Sequence, residues 1–279
     1  MDKIFSKQKN RIPEHQGTKY KFWIDDKLFK EGKVPGENWA EVLAYELASL
    51  LKINTAKYKL HTFCSPDKTI DGTISPNFIK EGDRLIHANE LLFIFDRNDY
   101  DSTKRYKHKE YTFTRSMALF KKLNLPPSDF IGYLLFDVLI GNQDRHHENW
   151  GFVFSFDERL DLAPSYDHGA SLACRLSEKE RKNRLSTKDK GYQITHFAQK
   201  ANSAFYHKGS LVKTYPLAKL CMQFFPTETK FWITHIKTLS QNNFLDVVNS
   251  AESVMSDLEK EFTLKLLQAN QKYLIGLLK

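Results

Sequence analysis

From Phe130 to Ile140 the chain is apolar except for one carboxylate, Asp137. Wound as a helix, that run is hydrophobic nearly all round, which requires burial in the centre of a lobe. It is shorter than the ~18 apolar residues of a bilayer span, and no other window approaches that length. Pro126-Pro127-Ser128-Asp129 is a start signal, because proline is tolerated in a first turn and Ser or Asp can cap the free amides. Gly141-Asn142 is the stop. The chain then enters a polar stretch, Gln143-Asp144-Arg145-His146-His147-Glu148-Asn149, followed at once by an apolar strand from Phe152 to Phe156. Polar groups wedged between two buried elements cost free energy unless they bond to one another or hold a ligand, so this loop is where chemistry is to be sought.

After a turn at Asp157-Glu158-Arg159, the segment Leu162-Ala163-Pro164-Ser165-Tyr166-Asp167-His168-Gly169 presents a second carboxylate. Asp144 and Asn149 have the Asp-x4-Asn spacing of kinase catalytic loops, and Asp167-His168-Gly169 has the Asp-x-Gly form of the metal-binding triplet downstream. Phosphoryl transfer needs a carboxylate to orient the nucleophile's proton, plus oxygen ligands to hold magnesium against the phosphates. On this pattern Asp144 is the base, and Asn149 and Asp167 are metal ligands. His146, His147 and Glu148 lack zinc-type spacing, since adjacent histidines point apart. His146 is expected to brace the loop, Arg145 to neutralise a nearby carboxylate, and Asp137 to orient the loop from within the helix. There is no Gly-x-Ser-x-Gly elbow, no readable Ser-His-Asp set and no Walker A motif.

The 279-residue length favours two lobes over one core. Residues 1–97 read as a mixed half. Lys19 to Ile24 and Lys27 to Lys30 form a hairpin across Asp25-Asp26; a helix capped by Asn38 runs to about Lys52 with Leu43, Leu47, Leu50 and Leu51 on one face; Tyr58 to Phe63, Thr73 to Ile79 and Leu91 to Phe95 read as strands. Asn98 to Lys109, rich in charge and tyrosine, reads as the join to a helical half, 98–279, which ends in helical periodicity from Phe244 to Lys279. The net charge is +8, and half of it lies between Arg175 and Lys190, where a solvated loop is expected. Cys64, Cys174 and Cys221 are isolated and form no disulfide framework. The charged N-terminus has no apolar signal core, so a reducing cytoplasm is expected, with delivery elsewhere left open.

Gly141 to Trp150 followed by Leu162 to Asp167 resembles the signature of the HipA-like serine/threonine kinases, a bacterial family with toxin-type and secreted members. Gly17-Thr18-Lys19-Tyr20-Lys21-Phe22-Trp23-Ile24, Leu28-Phe29-Lys30-Glu31-Gly32, Trp39-Ala40-Glu41 and Asp71-Gly72-Thr73-Ile74-Ser75 fit it more loosely. The resemblance implies an α+β, two-lobed protein-kinase-like fold, with a small mixed N-lobe, a mainly helical C-lobe, and ATP and magnesium in the cleft between them. It carries the catalytic role to Asp144 and the metal-ligand roles to Asn149 and Asp167. It also implies a nucleotide lysine paired with a helical glutamate. Glu41 is that glutamate, and Lys30, with Lys21 as rival, is the lysine. Only Gly17 is present where a glycine-rich phosphate loop belongs; Ser6 and Thr18 there read as a plain loop, with a phosphate contact or self-phosphorylation site as the functional alternative the resemblance offers. A protein substrate bearing Ser or Thr, possibly tRNA-associated, and a restraining antitoxin partner follow from the same resemblance; a membrane does not. Two other readings share the residues: a small-molecule or lipid kinase, and a basic nucleic-acid-binding regulatory module. The latter is disfavoured because only Tyr192 lies near the basic run for base stacking.

Overall fold

A computed structural model describes residues 20–279 apart from 98 and 105. The first sheet is antiparallel throughout, in the order β1-β2-β4-β3, from β1 (Lys21–Ile24), β2 (Lys27–Glu31), β3 (Lys59–Cys64) and β4 (Thr69–Pro76). The β1–β2 turn places Asp25 at φ +54°, left-handed backbone that Asp tolerates better than most residues. Phe22, Phe29 and Phe63 fasten the sheet, with ring centroids 5.0 Å (Phe22–Phe29) and 4.7 Å (Phe22–Phe63) apart.

Helix α1 (Pro35–Leu50) begins earlier than expected, because Pro35 supplies a preset first-turn φ and needs no donor. Asn38 is therefore inside the helix rather than its cap. Its Oδ1 accepts from the Gly32 amide at 2.9 Å and its Nδ2 donates to the Asp71 carbonyl at 3.2 Å, tying the helix to two strands. Leu43 and Leu47 are fully buried in the same hydrophobic core as the helical half, whereas Leu50, expected on that face, is 46% exposed. The helix is thus anchored in the larger lobe as well as in the sheet.

The next strand, β5 (Arg84–His87), leaves this sheet altogether. It pairs with β6 (Gly151–Phe154), which pairs with β7 (Leu160–Leu162). The change of sheet therefore falls between Pro76 and Arg84. Leu91 to Phe95, expected as a strand, lies in helix α2 (Ala88–Phe95). Glu90 in its first turn accepts from the His87 amide at 2.8 Å, a helix-start contact that a short apolar run does not reveal. Nor is Asn98 to Lys109 a bare connector, since Tyr100 and His108 are buried and the Tyr100 hydroxyl bonds to His147.

The remainder is mainly helical: α3 (Phe113–Lys122), α4 (Ser128–Ile140), α5 (Glu178–Ser186), α6 (Ile194–Lys200), a hairpin of β8 (Asn202–His207) and β9 (Ser210–Lys213), then α7 (Thr214–Phe224), α8 (Pro226–Thr238), α9 (Gln241–Asn249) and α10 (Asp257–Gly276). Helix α4 runs through the core, with every residue from Phe130 to Ile140 buried, against α7, α8 and α10. Pro127 occupies its N-cap, so neither Ser128 nor Asp129 caps it. The helical stretch expected from Phe244 to Lys279 is broken in two, because Ser256 and Glu259 form a capping box that starts α10 afresh. Among the described residues no helix is long and apolar enough to cross a membrane.

Candidate active site

Helix α4 ends where Gly141 turns left-handed at φ +62°, a conformation glycine adopts without a Cβ penalty. From there the loop is clamped from below. Asp137, 3% exposed, receives Arg145 Nε on Oδ2 and Arg145 Nη2 on Oδ1, both at 2.8 Å, and the Asn142 amide on Oδ1 at 2.8 Å. The same guanidinium donates to the Asn149 carbonyl at 2.9 Å and to Ser165 Oγ at 2.9 Å. One buried arginine therefore holds both ends of the polar loop and the segment that carries Asp167. Asp137 orients the loop and Arg145 neutralises a carboxylate, as expected of them. His146 accepts from the Glu148 amide at 3.2 Å.

Above this brace, Asp144 faces a cleft of about 920 Å³ between the first sheet and the helical half. Asn149 Nδ2 donates to the Asp144 carbonyl at 2.8 Å, which directs the remaining side-chain oxygen of Asn149 away from that bond. Burial and the neighbouring Asp167 charge push the Asp144 carboxyl up to about 6, against the pull of Arg175, Lys33 and Lys30. Asp167 sits at φ +60°, its amide donating to Tyr58 Oη at 3.3 Å.

The Lys30 ammonium meets Glu41 Oε1 at 3.1 Å and bonds directly to Asp167 Oδ1. Glu41 Oε2 accepts from the His168 amide at 2.8 Å. One strand, one helix and the segment after β7 are thereby joined by three side chains. Burial pushes the Asp167 carboxyl up, yet the Lys30 charge and hydrogen bond overcome it and hold the group well below the usual carboxylate range. Burial lowers Lys30 in turn, and the two carboxylates more than reverse that.

Lys30, Glu41, Asp144, Asn149 and Asp167 are thus brought to one place. Lys21 lines the same cleft on the edge strand. Thr18, Gly17 and Ser6 lie outside the described residues. Among the described residues, no group of three or more His, Cys, Asp or Glu is placed to hold a metal. An amide oxygen and one carboxylate beside a lysine instead suit magnesium, which takes one or two protein oxygens and completes its shell with phosphates and water.

Two features escaped the sequence. Arg175 donates from Nε and Nη2 to Glu37 Oε1, at 2.8 and 2.6 Å, pinning the segment after Gly169 to the start of α1. Tyr166 Oη meets His87 Nδ1 at 2.9 Å and donates to the Glu148 carbonyl at 3.0 Å, closing the cleft floor. Arg175 was visible only as a member of the basic run; nothing in the sequence announces its partner.

A family model described as the HipA-like C-terminal domain matches residues 6–223. Among solved structures, the Helicobacter pylori proinflammatory kinase CtkA superposes with a TM-score of 0.76 at 16% identity, covering 97% of this chain and 92% of that one. HipA of Shewanella oneidensis MR-1, solved with HipB and operator DNA, superposes with a TM-score of 0.58 at 14% identity, covering 95% of this chain and 65% of that one. No curated protein matches the sequence. At these identities the structural likeness is one of fold, shared with a solved bacterial kinase.

Proposed function

The chain belongs to the family of HipA-like C-terminal domains, and on that basis we propose that it is an ATP- and magnesium-dependent kinase that phosphorylates Ser or Thr of a protein acceptor. The observation that carries this reading is the convergence on one cleft of Lys30, paired with Glu41 and Asp167, and of Asp144 beside Asn149. The cleft volume is within the range of small-molecule sites.

In this reading Asp144 accepts or orients the proton of the acceptor hydroxyl. Asp144 is partly buried beside Asp167, its side chain 24% exposed, within reach of an acceptor in the cleft. Lys30, positioned by Glu41, steadies the phosphates, and Asn149 and Asp167 hold the ion through oxygen. Magnesium, when bound, supplies the positive charge that offsets charge on the transferring group. Most of the acceleration is positioning and electrostatics, which suits a site braced as rigidly as Asp137 and Arg145 brace this one. The lobes of this reading are residues 1–97 and 98–279. Thr18 is carried as a phosphate contact or self-phosphorylation site, and a HipB-like partner as a restraint, by analogy with the complex formed by the Shewanella protein.

The test is transfer of radiolabelled γ-phosphate to the chain itself or to proteins of a bacterial extract. Label in phosphoserine or phosphothreonine, lost with chelator and reduced about 10²–10⁴-fold in Asp144→Ala, is the expected result. Equal transfer by Asp144→Ala, or label found only on small molecules, would refute it.

A further inference from the structure

The basic run Arg175 to Lys190 separates, in three dimensions, into two populations. Its arginines are engaged by partners within the molecule. Arg175 is paired with Glu37; buried Arg181 reaches Glu259 Oε1 at 3.3 Å and the Ala173 and Cys174 carbonyls at 3.0 and 3.3 Å; and the Arg184 guanidinium lies 4.2 Å from the ring centroid of Tyr192 and 4.9 Å from that of Phe197. Its lysines all face outward. Lys179 and Lys182 on α5, and Lys188 and Lys190 in the loop after it, are exposed, and among the described residues their ammonium groups have no ion-pair or hydrogen-bond partner. Glu178, Glu180 and Asp189 are the acids of the segment; Glu180, its side chain 45% exposed, lies 3.7 Å from Arg184, and Asp189 accepts from the Gly191 amide at 2.8 Å.

We propose that this lysine face is a docking surface for an acidic segment of the protein acceptor. The inference rests on the kinase reading of the cleft. Position is its first support. Helix α5 begins at Glu178, three residues after Arg175, and Arg175 and the exposed Lys33 line the cleft together with Asp144. Basic side chains therefore mark the way from the hydroxyl site to α5, Lys33 exposed and Arg175 half exposed beside its partner Glu37, along a path that a few extended residues of acceptor can cover at ~3.3–3.6 Å each. Residue type is the second. Planar, bidentate phosphate recognition and base stacking fall to arginine and to open aromatic faces, and here Arg181, Arg184 and Tyr192 are occupied with one another or with the fold. What remains is flexible ammonium groups, which meet carboxylates as point charges. That favours an acidic polypeptide over a nucleic acid.

The experiment measures binding without nucleotide, by fluorescence anisotropy, and separately measures turnover. The probes are a short fluorescein-labelled peptide with one serine among Glu and Asp, its Gln/Asn counterpart, and a labelled single-stranded RNA of similar length. The acidic peptide is expected to bind, more weakly as salt rises, and Lys179→Glu/Lys182→Glu is expected to weaken it about tenfold. The same double variant raises KM for the acidic peptide and leaves kcat unchanged. Equal binding of acidic and neutral peptides, indifference to the charge reversal, or tighter binding by the RNA with displacement of the peptide each overturns the proposal. Lysine-dependent peptide binding by the parent chain without any phosphate transfer supports the surface while counting against the kinase reading. Transfer to acidic and neutral peptides alike does the reverse.

Discussion

Arg145 grips both carboxylate oxygens of Asp137 within the core, the two residues being 2% and 3% exposed. A buried pair of this kind adds little net stability over an apolar pair, but removing one partner strands the other charge. Asp137→Ala or Arg145→Met should each cost about 3–5 kcal/mol in chemical denaturation. The combined Asp137→Leu/Arg145→Met variant should recover much of that loss without recovering activity, because Asn149 and Ser165 lose their common anchor. Additive losses in the double variant would show that the two side chains do not act as a unit.

Lys21 and Lys30 face each other directly across the β1–β2 ladder, so their side chains emerge on the same side of the sheet. Only the approach of Glu41 from α1 and Asp167 from the segment after β7 distinguishes them, and both contacts are made by Lys30. Lys30→Met should abolish detectable transfer and weaken nucleotide binding, whereas Lys21→Met should change either by a few-fold at most. Titration of both variants with a fluorescent ATP analogue separates the two lysines; a larger loss in Lys21→Met would reverse the assignment.

That pair also marks how far the sequence could be read. Asp144, Asn149 and Asp167 were legible because their spacing within a short stretch is itself the signal, and the all-apolar α4 made burial beneath the loop unavoidable. The resemblance offered Lys30 with Lys21 as its rival and could go no further, since Glu41 lies 11 residues from Lys30 in the next element and Asp167 lies 137 residues away. The Arg175–Glu37 pair spans 138 residues and leaves no local trace. Local misreadings have local causes. Leu91 to Phe95 is too short an apolar run to choose between strand and helix, and the Glu90 contact to His87 decides it. The basic run looked like a solvated loop because its arginines could not be seen to turn inward.

Gly36 carries the contact between the start of α1 and the segment after Gly169. A Cβ there would sit 2.4 Å from the Cys174 carbonyl oxygen, a backbone atom with no rotamer by which to escape. Gly36→Ala should therefore push the segment away from α1 and loosen Arg175 from Glu37, costing about 1–3 kcal/mol. Faster amide exchange across 170–176 would report the displacement. A variant as stable as the parent would mean the helix start shifts freely.

Asp144 should be a residue whose removal stabilises the protein. Its carboxyl is pushed up to about 6 by burial and by Asp167, so between its unfolded value and 6 the native state holds the extra proton. Stability then falls as pH rises through that window, because ionisation is harder in the folded chain than in the unfolded one. Well above pH 6 the whole deficit is present, about 3 kcal/mol for a rise from the ordinary carboxylate value to about 6. Asp144→Asn carries no such charge and should be more stable than the parent at pH 8 by about that amount, with the difference vanishing near pH 4. Denaturant midpoints at the two pH values measure it, while the transfer assay on the same sample should show the activity gone. Stability gained with activity lost is the expected mark of a carboxylate kept buried for proton transfer. Equal stability at both pH values would mean that Asp144 ionises as freely as a solvent-exposed carboxylate.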